Sequence, residues 1–242
     1  MEGARSAAEL GGTAALLPWL RRAPRGDGHP VLVLPGFTAG DGSTTVVRRF
    51  LRDRGYFVHG WRLGTNLGPT DCVLDGLDRR VRELVAQHGQ PLSLVGWSLG
   101  GIYARELARA DPAAVRQVIT LGSPFRLRQS GASNATPLYR ALGPTHSARV
   151  PAQRPLEEQR PPLTMPATAV YTKTDAVVPW SSCVEAPGEG RDSIEVRGSH
   201  SGLGHNAAVL WVVADRLAQP PGEWTPFRPT PMWQRMGGVS GA

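Results

Sequence analysis

The stretch that most limits how this chain can fold is residues 91–110, PLSLVGWSLGGIYARELARA. Leu92, Leu94 and Val95 form an apolar run of strand length, Gly96-Trp97-Ser98-Leu99-Gly100-Gly101 follows, and helical spacing begins at Ile102. The pattern predicts a strand, a tight turn and a helix with Ser98 at the apex. A turn of this kind strains the serine backbone, and only glycine at 96 and 100 lets the neighbouring chain come close enough. The hydroxyl then stands clear of the sheet, in front of a helix N-terminus that favours developing negative charge. A bare G-x-S-x-G is weak evidence, because a chain this rich in glycine produces one by chance about 0.2 times. The competing reading is a glycine-rich turn with a solvated serine. The strand before the motif and the helix after it argue against that reading.

The same alternation runs through the chain. Apolar runs at 31–34, 56–61, 92–95, 115–121, 167–171 and 194–196 read as strands. Amphipathic segments at 44–54, 71–88, 102–110 and 206–218 read as the helices between and after them, with Ser43 as the expected cap of the first. Strands alternating with helices imply an α/β fold, a mainly parallel sheet of about six strands whose sites lie beyond the strands' carboxyl ends. Three regions stand outside the pattern. Residues 1–30 hold a glycine-interrupted helix over 7–20, with Leu16, Leu17, Trp19 and Leu20 as its apolar face, and then a Gly/Pro linker. Residues 125–166 lack periodicity, as a lid-like insertion in the 31–219 domain would. The Pro- and Trp-containing tail, 220–242, is expected on the surface.

Composition narrows the classes of function. In 242 residues, 40% are hydrophobic and 19% charged, and the net charge is +7. Lys173 is the only lysine and the arginines are scattered, so there is no basic run interleaved with aromatics and no nucleic-acid partner is expected. Cys72 and Cys183 fit neither a disulfide framework nor a metal cluster. No segment reaches transmembrane length and no export signal opens the sequence, so the expected location is the cytoplasm. The short, glycine-broken first helix, with Arg21, Arg22 and Arg25 beside it, allows no more than weak contact with a membrane surface.

Candidate chemistry gathers where strands end. A serine hydroxyl needs a base to take its proton, and the base needs a partner to fix its tautomer. Of six histidines, His29, His59, His88 and His146 fall before the first strand, within a strand, at a helix end and in the irregular region. His200 and His205 both follow the last strand and both fit the base's place. Asp175 follows the strand at 167–171 directly, whereas its rival Asp192 precedes a strand and falls at the wrong sheet edge. An oxyanion needs converging donors, for which the backbone N–H groups of Leu99 and Phe37 are the candidates. Trp97, Phe37, Leu99 and Leu203 are expected to flank an acyl group, with Trp61 and Asn66 at the rim. No metal-ligand spacing and no phosphate-binding glycine loop competes, so no cofactor and no metal is expected.

Three motifs together resemble the α/β-hydrolase superfamily, and its small lipase and esterase members most closely: Pro35-Gly36-Phe37 after the first strand, Gly96 to Gly100, and Gly198-Ser199-His200-Ser201-Gly202-Leu203. The resemblance spans about 31–217. It favours His200 over His205, and the order Ser98, Asp175, His200 is that of α/β-hydrolases. Pro35 stands where many relatives carry His, and the resemblance does not place 125–166 as a cap. The resemblance implies a serine hydrolase that cleaves small-molecule or lipid carboxylic esters through an acyl-enzyme. Two alternatives stay open: a non-catalytic binding protein on the same fold, and the same residues applied to amide, thioester or peroxide chemistry.

Overall fold

The computed structural model describes residues 2–127, 134, 136–150 and 155–239. Its centre is a six-stranded sheet, parallel throughout, in the order β2-β1-β3-β4-β5-β6. The elements in chain order are α1 (Glu2–Ala15), α2 (Leu17–Leu20), β1 (Pro30–Leu34), α3 (Thr45–Asp53), β2 (Phe57–Gly60), α4 (Asp71–His88), β3 (Leu92–Trp97), α5 (Leu99–Ala110), β4 (Val115–Leu121), α6 (Thr136–Ala141), β5 (Ala167–Tyr171), β6 (Arg191–Glu195), α7 (Ala207–Leu217) and α8 (Pro231–Arg235). The central strands are apolar on both faces because each face is covered. Val31, Val33 and Val95 pack against α3 and α7 residues in one core; Leu32, Leu34 and Leu94 pack against α4 and α5 residues in the other.

Local chemistry sets the helix ends that matter for the site. Thr70 caps α4 by accepting from Val73 N–H, and Gly89 closes it in the left-handed region at φ 65°. Asn206 caps α7 by accepting from Ala208 and Val209 N–H. Ser43 does not cap α3: its hydroxyl bonds back to Gly40 O inside a 3-10 turn at Asp41–Thr44, which delays the helix to Thr45. Strand order then fixes where the loops meet. The chain steps from β1 outward to β2 and returns to the other side of β1 with β3, so the sheet's switch point lies between β1 and β3. The loop carrying Phe37 and the turn carrying Ser98 leave the sheet at that place.

Two termini depart from expectation. The tail is part of the core: Trp233 is fully buried against α7, donates Nε1–H to Ala208 O at 3.0 Å, and stacks edge-on with Phe227. Backbone pairing of Val196 with Gly238 and of Val239 N–H with Glu195 O ties that tail to the end of β6. At the other end the helix begins at Glu2 rather than Ala7, and Leu17 and Trp19, expected on an inward face, are exposed; of that group only Leu20 is fully buried. Among the described residues no helix is long and apolar enough to cross a membrane, and both cysteines are free.

Candidate active site

Ser98 sits between β3 and α5 with φ 52° and ψ −119°, a conformation an L-residue adopts only when its surroundings impose it. The surroundings are close backbone. A β-carbon at Gly96 would overlap Gly101 Cα, and one at Gly100 would overlap Leu34 O. Ser98 N–H donates to Leu121 O at 2.8 Å, which pins the turn to the end of β4. Ser98 is partly exposed, and among the described residues its hydroxyl has no hydrogen-bond partner.

His200 and Asp175 are brought together. His200 Nδ1 lies 2.6 Å from Asp175 Oδ2, with both side chains buried. A carboxylate only accepts, so Nδ1 carries the proton and Nε2 is left as the basic nitrogen. The carboxylate is fixed on its other side as well: Oδ1 accepts from Val177 N–H at 2.7 Å and Val178 N–H at 2.8 Å. Two contacts bring the imidazole to the elbow. A β-carbon at Gly122, next to the Leu121 that holds Ser98, would lie 3.3 Å from His200 Nδ1. Trp97 donates Nε1–H to His200 O at 3.1 Å. The imidazole thus stands beside the Ser98 turn without a formed Ser98–His200 bond, as is common in substrate-free sites.

The loop after β1 closes on the serine from the opposite side. Gly36 is so near that a β-carbon there would sit 3.3 Å from Ser98 Cβ. Phe37 and Leu99 are partly exposed, and among the described residues neither backbone N–H has a protein acceptor. Phe37 meets Tyr139 of α6 edge-on at 5.5 Å between centroids, and Tyr139 in turn packs on His146, whose Nε2 bonds Leu67 O at 3.2 Å. Part of the irregular 125–166 stretch therefore lies over this loop, a contact that no periodicity in the sequence announces.

Other expected residues lie elsewhere. Trp61 is fully buried beneath α4 and donates Nε1–H to Gly64 O, so it cannot rim a site. Asn66 is also fully buried and acts on the backbone: its Nδ2 donates to Pro35 O, and its Oδ1 accepts from Gly68 N–H and Tyr103. Its main chain bonds Thr38 N–H and Ala39 O, so Asn66 shapes the Phe37 loop from behind. Leu203 is buried in the core beside Gly122 and lines no open surface. His205 turns Nε2 to Ser6 O at 2.9 Å, away from the elbow. Asp192 lies on β6, accepts from Phe227 N–H and pairs with Arg216.

A second Ser–His–Asp chain shows why geometry alone does not make a site. His29 Nδ1 lies 2.5 Å from Asp27 and Nε2 lies 2.7 Å from the Ser93 hydroxyl. Ser93 is fully buried at the start of β3, at the opposite sheet edge, where no substrate reaches it. Burial holds His29 below its ordinary pKa, and Asp27 is also paired with Arg116, so this chain is structural. Burial likewise pushes the Cys183 thiol up to about 12, which removes it as a nucleophile. A cavity of about 490 Å³ lies around Arg105, Phe125, Glu157 and Glu185, and none of the candidate site residues lines it. Within it Arg105 is paired to both glutamates and stacked 3.9 Å over the Phe125 ring. Among the described residues no group of three or more His, Cys, Asp or Glu side chains could hold a metal ion.

The sheet order, the strained serine turn and the loops that meet beside it define the α/β-hydrolase fold. Solved structures carry the comparison. The chain is similar to an α/β-hydrolase from a lagoon-sediment metagenome (TM-score 0.50, 18% identity, 74% of this chain and 85% of that one). It is also similar to lipase B of Aspergillus fumigatus (TM-score 0.57, 16% identity, 81% and 53%) and to BorB, the type II thioesterase of a borrelidin biosynthetic cluster (0.53, 22%, 81% and 94%). No protein-family model and no curated sequence matches the chain.

Proposed function

We propose that the protein is a serine hydrolase that cleaves carboxylic esters through an acyl-enzyme on Ser98. The observation that carries this reading is the strained backbone of Ser98 on the elbow, with a buried His200–Asp175 pair opening beside it. In the reaction Ser98 Oγ attacks the ester carbonyl while its proton passes to His200 Nε2. Asp175 keeps His200 in the tautomer that leaves Nε2 basic and stabilises the imidazolium that forms. The oxyanion accepts from the N–H groups of Leu99 and Phe37, with the α5 N-terminus adding a favourable field. His200 returns the proton to the leaving alcohol, and water, activated by the same imidazole, releases the acid. Trp97, Phe37 and Leu99 offer the acyl chain apolar surface, and Tyr139 of α6 covers the Phe37 loop; residues 128–133, 135 and 151–154 of the expected lid-like insertion lie outside the described residues. The expected substrates are small-molecule or lipid esters.

A panel of chromogenic esters of rising chain length, set beside an amide and a thioester, tests the reaction class. Wild type is expected to hydrolyse esters and Ser98→Ala to lose turnover while keeping its melting temperature. A folded Ser98→Ala variant with wild-type turnover overturns the assignment, and faster turnover of the amide or the thioester moves the enzyme to that chemistry.

A further inference from the structure

Helix α1 is built inside out. Its exposed positions are Gly3, Ala4, Ala7, Ala8, Leu10, Gly11, Gly12, Ala14 and Ala15, while Glu2, Arg5, Ser6, Glu9 and Thr13 turn toward the domain. The inward set recurs at i, i+3, i+4, i+7 and i+11, one helical face made of polar side chains. Hydrophobic burial therefore does little to hold α1 in place, and its hydrogen bonds must.

Those bonds converge on the backbone either side of Asp175 and of His200. Glu9 Oε1 accepts from Ser199 N–H at 2.7 Å, and Glu9 Oε2 accepts from Asn206 Nδ2 at 3.2 Å. Glu2 accepts from Ser201 N–H and from Ala176 N–H, both at 3.2 Å. Arg5 donates to Gly198 O at 2.7 Å and to Thr174 O at 3.0 Å, and Ser6 donates to Ser201 O at 3.2 Å. Residues 174 and 176 and residues 199 and 201 are thus held by one helix, far away in sequence. Bonds from carboxylate or guanidinium to backbone are of the stronger kind, and Glu9 has the shortest of the carboxylate set.

A glycine makes room for this contact. A β-carbon at Gly202 would overlap the Glu9 carboxylate. The Gly202 backbone is not left-handed, and the three atoms nearest that β-carbon all belong to the Glu9 carboxylate.

We infer that Glu9 is a positioning residue for His200, and that α1 is a strut locking the His200 and Asp175 loops to each other. The inference rests on the proposed roles of Ser98, His200 and Asp175. Glu9 touches no reacting atom; it acts by holding Ser199, the residue before the base. Small displacements of a catalytic group are costly, and misplacement by about 1 Å loses about a hundredfold.

The test follows kcat and KM for a chromogenic ester, with the rate of fluorophosphonate labelling of Ser98, in wild type, Glu9→Ala, Glu9→Gln, Gly202→Ala and the Glu9→Ala/Gly202→Ala double variant. Glu9→Ala is expected to lose about tenfold or more in kcat and labelling rate with KM within about twofold. Glu9→Gln, which keeps an acceptor for Ser199 N–H, retains most of the activity. Gly202→Ala loses activity in the wild-type background by expelling Glu9, and adds no further loss once Glu9 is alanine, the signature of two residues acting through one contact. If Glu9→Ala does not fold, the contrast between Glu9→Gln and Gly202→Ala decides. A folded Glu9→Ala that labels at the wild-type rate, or additive losses in the double variant, refutes the strut. Failure of wild type to label or turn over refutes the hydrolase reading instead.

Discussion

Replacing Asp175 by Asn probes the orientation of the proposed base, His200, without removing its neighbour. Asp175 Oδ1 is held by the N–H groups of Val177 and Val178, both donors. The new amide must therefore keep its oxygen there and turn its NH2 toward His200, where Oδ2 stood. His200 Nδ1 would then face a donor and become the acceptor, which moves the ring proton to Nε2, the atom that accepts from Ser98 in the proposed mechanism. The fold should survive, because both backbone bonds to position 175 are kept. Loss of the right tautomer costs about 10⁴ in kcat, equivalent to about 5.5 kcal/mol of barrier. The assay is kcat/KM on a chromogenic ester, read beside circular dichroism and a melting curve. A folded Asp175→Asn variant within tenfold of wild type would refute the claim that this carboxylate sets the tautomer of the base.

Two further perturbations address the fold. Trp233→Ala removes a fully buried indole and its bond to Ala208 O, and should cost about 3–5 kcal/mol in a denaturant titration; loss below about 1 kcal/mol would mean the tail is not part of the core. Burial, with Arg80 and His88 next in effect, lowers the His59 pKa from 6.5 to about 4. The folded state therefore binds that proton less readily than the unfolded chain. The contribution is present in full above pH 6.5 and is lost as pH falls toward 4. The melting temperature should drop across that window, and His59→Gln should flatten the drop; an unchanged slope in the variant would remove His59 as its source.

What the sequence made legible follows from which residues act locally. The strands at 31–34, 92–95, 115–121 and 167–171 are largely buried, so the apolar residues that predominate in them announce them. The Ser98 elbow depends on glycines within two residues of it, and Asp175 and His200 each follow a strand directly; the structure pairs those two at 2.6 Å. Residues whose roles depend on distant chain were not legible. Trp61 and Asn66 look like rim residues because they follow β2, but the α4 core buries one and the Pro35 carbonyl captures the other. Trp233 is a single plug with no period to reveal it. Helix α1 misleads most, because periodicity assumes that the apolar face turns inward, whereas here polar bonds to the 174–176 and 198–201 backbone set its orientation.

The central claim is that Ser98 is a nucleophile activated by His200. Intact-mass spectrometry after fluorophosphonate treatment, followed by peptide mapping, tests it most directly on wild type, His200→Ala and His205→Ala. A single adduct on Ser98, lost in His200→Ala and kept in His205→Ala, is the expected result. Folded wild type without an adduct, or labelling that survives in His200→Ala and disappears in His205→Ala, would contradict the account.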